Sequence, residues 1–438
     1  MKPLNIGLAG MGTVGQGVWK HLNGQAALLR QRCGRGLAIG QISARNPAKL
    51  ASLNLPDGLV TPDWRDLLAN PELDVIVELI GGTTDAYALI RGALEAGKHV
   101  VTANKALLAA HGAELFQLAA TQKRRLLYEA SVAGGIPLLQ SLREGLVANR
   151  IVALYGIING TCNYILTQMS ELGLDYAEVL AEAKRLGYAE ADESLDVDGH
   201  DTAHKAVVLA ALAYGFWPRL ESVPTRGIAQ LERQDILFAQ NLGYEIKLLA
   251  IVKAAQGGQG RVEVQVQPTL VPSSHVLASI KGVFNAVLVR GDVVGDTLFY
   301  GRGAGADATA SAVLSDLASL AREGDSASGS GLPCGLWNSG ESALQHLAAA
   351  DEIVARYYLR LNVEDRPGVL AQVATILARR NIGISSVIQP EGHEGEAVPL
   401  ILMIHDANTH DFQEARLELE RLPVVRGPAV SLRVEDFS

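Results

Sequence analysis

Apolar and polar positions recur along this chain with two different periods. Leu4 to Ala9 is an apolar run of strand length, and Thr13 towards Arg30 carries helical spacing, the two signals that separate strand from helix. Leu37 to Ser43, Asp74 to Ile80 (apolar after Asp74 apart from Glu78), Lys98 to Thr102 and Arg125 to Glu129 read as further strands, with a helix over Thr84 to Ala96. Strands alternating with helices predict a doubly wound parallel sheet, in which ligands lie at the carboxyl ends of the strands.

Past residue 150 the pattern changes. Ile151 to Ile158 is a strand leading into Asn159-Gly160-Thr161-Cys162-Asn163, a polar turn followed by helix. Val262, Val264 and Val266 alternate strictly, and Ala286 to Val289 and Thr297 to Tyr300 flank Gly291-Asp292, predicting antiparallel strands with one wet face. A helix over Ala308 to Arg322 is expected to return to the first domain. Glu323 to Gly340 has linker composition. Beyond it come a strand around Tyr357, Leu359, Leu361 and Val363, a helical stripe from Val369 to Leu377, a strand over Ile384 to Ile388 and a glycine-containing hairpin. A strand over Pro399 to Ile404, a helix over Asp411 to Leu422 and a strand over Ala429 to Val434 complete a βαββαβ, ferredoxin-like order. The expected fold class is α/β. A Rossmann-type domain spans 1–130, completed by 305–322. An α+β catalytic and dimerisation domain follows over 131–304, then a linker over 323–352 and the ferredoxin-like unit over 353–436.

Candidate chemistry begins at Gly10-Met11-Gly12-Thr13-Val14-Gly15, a GxGxxG string placed between strand and helix. Gly10 permits the tight turn, Gly12 admits a pyrophosphate to the backbone, and Gly15 lets helix and strand approach, with the Thr13 and Val14 amides facing the phosphate. After the second strand, Arg45 stands where an NAD-specific site presents an acid. With Lys49 one turn on, this suits a 2′-phosphate and favours NADP, although a solvated Arg beside a proline turn has the same sequence. Lys105, after the strand ending at Thr102, falls where nicotinamide and substrate meet; a surface lysine opening a helix fits equally. Glu129 and the small residues up to Pro137 could offer carbonyl oxygens to a cation, and they fit a crossing loop as well.

The most unusual stretch is Gly187 to Lys205, GYAEADESLDVDGHDTAHK, where six of nineteen residues are acidic at the mouth of an apolar helix. Asp198 is expected to cap that helix. Asp201 and Lys205 lie four apart on the stripe continuing through Val208, Leu209 and Leu212, so both point inward. The spacing fits an ordinary helical ion pair of roughly 0.2–0.5 kcal/mol. It also fits a held lysine acting as proton donor, with Glu190 close in sequence. His200 and His204 fall off the stripe as solvated positions, and His99 within its strand reads as structural.

Composition narrows the classes. The net charge of −9 without a Lys/Arg run argues against nucleic acid or an anionic membrane as partner. Cys33, Cys162 and Cys334 lie far apart, giving neither a metal motif nor a disulfide framework. The start of the chain lacks signal-peptide features, and no apolar run reaches the length of a membrane span. A cytoplasmic protein acting on small molecules is expected. An aldehyde-oxidising semialdehyde dehydrogenase would need Cys162 as a thiolate, whereas a non-catalytic regulatory protein would have no use for Lys105, Glu190, Asp201 and Lys205 together.

The glycine-rich turn, Ala103-Asn104-Lys105, Glu129 to Pro137 (EASVAGGIP), Asn159 to Asn163 (NGTCN) and above all Gly187 to Lys205 together resemble the homoserine dehydrogenase family, in its monofunctional form with a carboxyl-terminal ACT domain and no preceding aspartokinase domain. The resemblance implies reversible NAD(P)H-dependent reduction of L-aspartate 4-semialdehyde to L-homoserine, on the route to threonine, methionine and isoleucine, with NADP(H) preferred and NAD(H) accepted. It implies Lys205 as the acid–base lysine, with Glu190 and Asp201 holding the substrate ammonium and Gly160 and Thr161 touching substrate. Lys105 would lie near nicotinamide and substrate, with Gly187 and Gly303 as backbone contacts to the cofactor. Glu129, Val132, Gly134 and Ile136 would bind a structural sodium ion. The ACT unit would sense an end product such as threonine through Asp365-Arg366-Pro367-Gly368, in a homodimer or homotetramer.

Overall fold

The computed structural model describes residues 2–46, 50, 53, 55–189, 192–255, 260–323, 346–391 and 397–437. In chain order, β1 (Leu4–Ala9), α1 (Thr13–Gly24), α2 (Ala26–Cys33), β2 (Leu37–Ser43), β3 (Val60–Thr61), α3 (Arg65–Ala69), β4 (Val75–Glu78), α4 (Asp85–Glu95), β5 (His99–Thr102), α5 (Lys105–Thr121) and β6 (Leu126–Leu127) come first. They are followed by α6 (Leu138–Gln140), β7 (Ile151–Ile157), α7 (Gly160–Leu172), α8 (Tyr176–Arg185), α9 (Ser194–Val197), α10 (His200–Tyr214) and α11 (Arg233–Asn241). Next are β8 (Tyr244–Ala254), β9 (Val262–Pro272), β10 (Phe284–Gly291), β11 (Gly295–Arg302) and α12 (Ala306–Glu323). Last come β12 (Val354–Glu364), α13 (Val369–Arg379), β13 (Ile384–Ile388), β14 (Ala397–Asn408), α14 (Thr409–Glu420) and β15 (Val430–Val434).

Two compact units result: Met1–Gly160 with Asp201–Val223 and Val283–Leu344, and Thr161–His200 with Pro224–Gly282 and Gln345–Ser438. The expected 131–304 segment is therefore divided between them. In the first unit, six strands form a parallel sheet in the order β3-β2-β1-β4-β5-β6. The order reverses between β1 and β4, which opens a ligand crevice at their carboxyl ends. Leu4, Ile6 and Leu8 share a buried cluster with Val75, Val77, Val18 and Leu22, and α12 adds Val313, Leu317 and Leu320. Each such side chain contributes about 1.5–3 kcal/mol on burial. The helix after residue 305 thus shares the core of the parallel-sheet fold, and Gly17 lets it approach: a Cβ there would lie 2.8 Å from the Ala306 carbonyl. The same unit holds an antiparallel set, β7-β10-β11.

In the second unit, β8 and β9 form a long antiparallel pair. The carboxyl-terminal module is a four-stranded sheet in the order β15-β12-β14-β13, with α13 and α14 supplying Val373, Leu377, Phe412 and Leu419 to one core. Its βαββαβ order matches the sequence reading, and β15 also runs parallel to β9, with Arg433 opposite Thr269 and Val434 opposite Leu270.

Four local expectations change. The helix expected from Thr13 to Arg30 is two helices, because the chain leaves helical geometry at Gln25 (φ −118°, ψ 20°) after the poor helix former Gly24. Only Leu126–Leu127 of Arg125 to Glu129 is strand, since Glu129 turns into a 3₁₀ helix. Asp198 does not cap α10; it closes the preceding α9, and Gly199 at φ +87° stands between the two helices. Finally, β9 has no wet face: Glu263 and Gln265 are as buried as the valines they alternate with. The reason is ionic, for Glu263 pairs with the buried Arg433 of β15.

A second buried pair ties α11 to the module. Asp235, fully buried, accepts from Arg360 Nε at 2.7 Å, Arg360 Nη2 at 3.0 Å and the Tyr358 hydroxyl at 3.1 Å. Asp235→Ala would strand the Arg360 guanidinium, a loss of about 3 kcal/mol, at the low end for a broken buried pair because Glu232 stays 3.3 Å away. Urea unfolding followed by the module's hydrogen exchange should show that loss, and a joint Asp235→Leu/Arg360→Met change should recover most of it. A single variant as stable as the parent would refute the assignment.

Candidate active site

The turn between β1 and α1 is built around its glycines. Gly10 has φ +100°, and a Cβ there would sit 2.5 Å from the Leu79 carbonyl; at Gly15 it would sit 2.1 Å from the Gly10 carbonyl. Both positions are closed to any other residue. Gly12, by contrast, has nothing within 4 Å of its Cβ position and caps α1 with no side-chain bond. The first turn of α1, with Thr13 and Val14, therefore presents uncapped amides beside open space, which is what an anionic phosphate requires. Nearby at the sheet's end, the buried Glu78 accepts from Ile80 N at 2.9 Å, Gly81 N at 3.0 Å and Thr102 Oγ1 at 2.5 Å. Burial pushes its carboxyl above the usual range. Asn104 caps α5 by accepting from Leu107 N and donates to the Gly82 carbonyl at 2.7 Å. This latch fixes the start of α5 and hence Lys105. Arg45 is exposed and donates to Asp85 at 3.1 Å; Lys49 lies outside the described residues.

Lys105, Asn159 and Lys205 converge on the carboxylate of Asp201. Asp201 Oδ2 receives Lys205 Nζ at 2.6 Å and Asn159 Nδ2 at 3.0 Å, while Oδ1 faces Lys105 Nζ at 3.1 Å. Lys205 Nζ also donates to the Ile158 carbonyl at 2.6 Å. Asp201 and Lys205 are each only 8% exposed, so the inward orientation expected from the helical stripe holds. Lys105 is the more open of the two lysines. Burial by itself would raise the Asp201 pKa, but the Lys205 and Lys105 ammonium groups outweigh it and hold the carboxyl far below the ordinary carboxylate range. The group has two ammonium ions for one carboxylate, a local excess of positive charge. An ammonium with two of its three protons placed, beside a dinucleotide-type fold, can give the third to an oxygen that becomes anionic.

Other sequence candidates fall as follows. Gly160 opens α7, where a Cβ would lie 2.8 Å from the Val283 carbonyl; at Gly303 it would overlap the Asn285 amide. In the second unit, Thr161 Oγ1 donates to the Tyr188 carbonyl at 2.7 Å and to Asp196 Oδ2 at 3.2 Å, and Gly187 takes φ +75° after α8. Glu190 lies outside the described residues. The acids of this stretch separate into roles: Asp192 accepts from Ser194 N at 3.1 Å to start α9, Glu193 pairs with Lys184 at 2.6 Å, and Asp196 receives Thr161. Cys162 Sγ donates to the Asp196 carbonyl at 3.2 Å, a packing role. His99 Nδ1 accepts from Arg125 N at 3.0 Å, with its pKa lowered to about 4 by burial and by Arg124 and Arg125; it is structural as expected.

Glu129 departs from a simple ligand role. Its carboxylate accepts from Leu139 N at 2.9 Å and Gln140 N at 2.7 Å, and its own N–H donates to Asp316 at 2.8 Å. Among the described residues no group of three or more His, Cys, Asp or Glu side chains is placed to hold a metal ion. Sequence reasoning missed Asp316, although an acid flanked by the apolar Val313, Leu317 and Leu320 was its signal. Asn159 was visible only as part of a polar turn.

Comparison with known proteins adds the family. Residues 137–318 match the family model described as homoserine dehydrogenase, residues 10–129 that described as homoserine dehydrogenase, NAD binding domain, and residues 357–424 the ACT domain. The chain is 44% identical to a homoserine dehydrogenase of Pseudomonas aeruginosa and 41% identical to one of Neisseria gonorrhoeae, each over 100% of both chains. A crystal structure of a homoserine dehydrogenase from Thiobacillus denitrificans is similar at a TM-score of 0.91 and 41% identity, covering 100% of this chain and 99% of that one. A hyperthermophilic archaeal homoserine dehydrogenase in complex with NADPH is similar at a TM-score of 0.61 and 27% identity, over 72% of this chain and 97% of that one.

The Asp316–Glu129 contact sets a pH dependence. Burial first, and then the Glu129 carboxylate, raise the Asp316 pKa to about 8, against the smaller opposing pull of the Glu129 N–H, Arg143 and Arg125. The folded chain holds this proton more tightly than the unfolded one, so the stabilisation is complete below the ordinary value of 3.8 and is lost as pH rises through about 8. Asp316→Asn is expected to flatten the decline of Tm over that window. A decline as steep as in the parent protein would show that Asp316 is not its source.

Proposed function

The chain belongs to the homoserine dehydrogenase family, and we propose that Lys205 is the proton donor and acceptor of its reaction, with Asp201 and Lys105 setting its position and charge. The reaction is the reversible reduction of L-aspartate 4-semialdehyde to L-homoserine with NAD(P)H. Bound NAD(P)H would supply hydride to the aldehyde carbon, and Lys205 Nζ would give a proton to the oxygen that receives the C=O π pair. In the reverse direction Lys205 accepts the hydroxyl proton as hydride leaves. The observation that carries this reading is the single buried carboxylate shared by two lysines. Lys205 is preferred to Lys105 because it is buried and held by two acceptors, so its remaining N–H has a fixed direction. General-acid help of this kind is worth roughly 10²–10⁴-fold.

Both Asp201 oxygens are already engaged, which favours a positioning role. Glu190 is then the better partner for the substrate ammonium, and Gly160 and Thr161 complete the substrate contacts. Gly10, Gly12, Thr13, Val14 and Gly15 would bind the pyrophosphate, with Gly187 and Gly303 as further backbone contacts. Preference for NADP(H) over NAD(H) would come from Arg45. Its exposed bond to Asp85 is worth only about 0–1 kcal/mol, so a 2′-phosphate exchanges for it readily. A sodium ion is proposed at Glu129, Val132, Gly134 and Ile136, where it would be structural. In support, the Val132 and Gly134 carbonyls accept no backbone amide among the described residues, and each Glu129 oxygen keeps a further lone pair. An end-product amino acid such as threonine is proposed at Asp365-Arg366-Pro367-Gly368, where Asp365 receives Gln389 at 3.1 Å. We place the enzyme in the cytoplasm, in threonine and methionine biosynthesis, as a homodimer or homotetramer. No described helix is long and apolar enough to cross a membrane.

Lys205→Ala should lower kcat by roughly 10²–10⁴-fold while NADPH binding, read by fluorescence titration, is kept. Near-normal turnover would refute the assignment, and a larger loss in Lys105→Ala would transfer it to Lys105. Arg45→Ala should raise the KM for NADPH and leave that for NADH unchanged; parallel changes would exclude a 2′-phosphate contact.

A further inference from the structure

A cavity of about 370 Å³ lies within the second unit, between the carboxyl-terminal module and the segment joining α10 to α11. That volume is within the range of small-molecule sites. Its wall carries three guanidinium groups, Arg226, Arg416 and Arg433, with Tyr357, Gln413 and Ser431, and the lining includes no carboxylate. Two of the three charges are compensated from outside the cavity. Arg433 pairs with Glu263 and Glu435, and Arg416 pairs with Glu420 at 2.7 Å. Arg226 is different. Its Nη1 donates to the Ser431 carbonyl at 2.5 Å and Ser431 Oγ at 3.5 Å, and no described carboxylate lies within ion-pairing distance. Burial, and then the neighbouring Arg416, lower its pKa against the weaker opposing pull of Asp235, a carboxylate already bonded to Arg360.

We propose that this cavity is an effector site for a small oxyanion, a phosphate or a dicarboxylate, held by Arg226 and Arg416. A zwitterionic amino acid is disfavoured because no acid in the lining would receive its ammonium. The site is separate from the Asp365-Arg366-Pro367-Gly368 turn: Tyr357 is near the start of β12 and that turn follows its end, roughly 23 Å along the strand at 3.3 Å per residue.

The cavity has a direct route to the chain that bears the substrate lysine. Arg226 N donates to the Val266 carbonyl at 2.8 Å and Ile228 N to the Val197 carbonyl at 2.8 Å. Between them, Gly227 is so close to Val197 and Asp198 that a Cβ would lie 1.9 Å from the Val197 carbonyl. An anion that draws the Arg226 guanidinium inward therefore pulls on Val197 to Gly199, and the next residues are His200 and Asp201 of α10. The Gly227 backbone packs directly on this segment, and the effect is expected in the rate at saturating substrate.

The test uses the full chain with NADPH saturating, so that the glycine-rich turn and Arg45 take up no free phosphate. Calorimetric titrations with inorganic phosphate and with succinate, against chloride at equal ionic strength, tell the two anion classes apart. One of them is expected to bind, and Arg226→Gln to weaken it at least about tenfold. The bound anion should change the parent's kcat and leave that of Arg226→Gln unaltered, the variant's turnover without anion being expected to match the parent's. Arg416→Gln serves as the second variant if Arg226→Gln does not fold. Failure of both anions to bind above the chloride control, or equal binding by parent and variant, would overturn the site. Binding without any change in kcat would overturn the coupling through Gly227. Neither outcome depends on which lysine donates the proton.

Discussion

A carboxylate shared between two ammonium groups is the constraint on which the candidate active site depends. Alone in such surroundings, Asp201 would take up a proton, since burial favours its neutral form. Lys205 and Lys105 reverse that preference and keep it ionised. Because the folded pKa is depressed, the stabilisation is present above the ordinary Asp range and is lost only as pH falls through the lowered value. The remaining charge matters for chemistry. One carboxylate and two ammonium ions leave about one positive charge, and in the proposed reaction an alkoxide formed by hydride addition would meet it without reorganisation.

The fold delivers these groups on rigid elements. Lys105 begins α5 just beyond β5, Asn159 follows β7, and Asp201 and Lys205 stand one turn apart on α10. Each anchor is fixed by its own local bond: the Asn104 cap for α5, the Ile158 carbonyl for Lys205 and Asn159 for the second lone pair of Asp201. Sites carried on helices and strand ends hold their geometry better than sites carried on loops. The glycine-rich turn obeys the same economy, since two of its glycines are demanded by backbone contact and only Gly12 faces open space.

What was legible in the sequence was whatever one element encodes by itself. The i, i+4 spacing of Asp201 and Lys205 on an apolar stripe gave their orientation, and alternation of strand and helix gave the parallel sheet. The joining of Lys105 to Asp201 was not legible as geometry, because nothing local in either segment specifies the other. Asp198 shows the opposite limit. An acid near the start of a helix is a good cap only if the chain enters there, and Gly199 in the left-handed region moves the entry one residue on. The expected wet face of β9 failed because alternation distinguishes polar from apolar and is blind to what covers the polar side. Glu263 and Gln265 are polar and buried: Glu263 takes its partner, Arg433, from a strand far along the chain, and Gln265 bonds to Glu263 and Gln267 along its own strand.

That buried polar face has a structural purpose. The seam between β9 and β15 is short, with two paired positions, Arg433 with Thr269 and Val434 with Leu270. Parallel pairing of that length specifies register weakly, and a one-residue slip would turn every side chain of β15 to the other face. Arg433 reaches Glu263 and Glu435, and Lys253 of β8 reaches Glu435 at 2.9 Å, so a slip would break several buried charged contacts at once. Replacing such a network with apolar residues of equal volume is often neutral or stabilising, which means its value here is in specificity. An apolar seam would hold the module as firmly and let it settle in more than one register. The charged seam admits one register, and with it fixes where Arg226 and Ser431 meet, the point from which the proposed coupling would start.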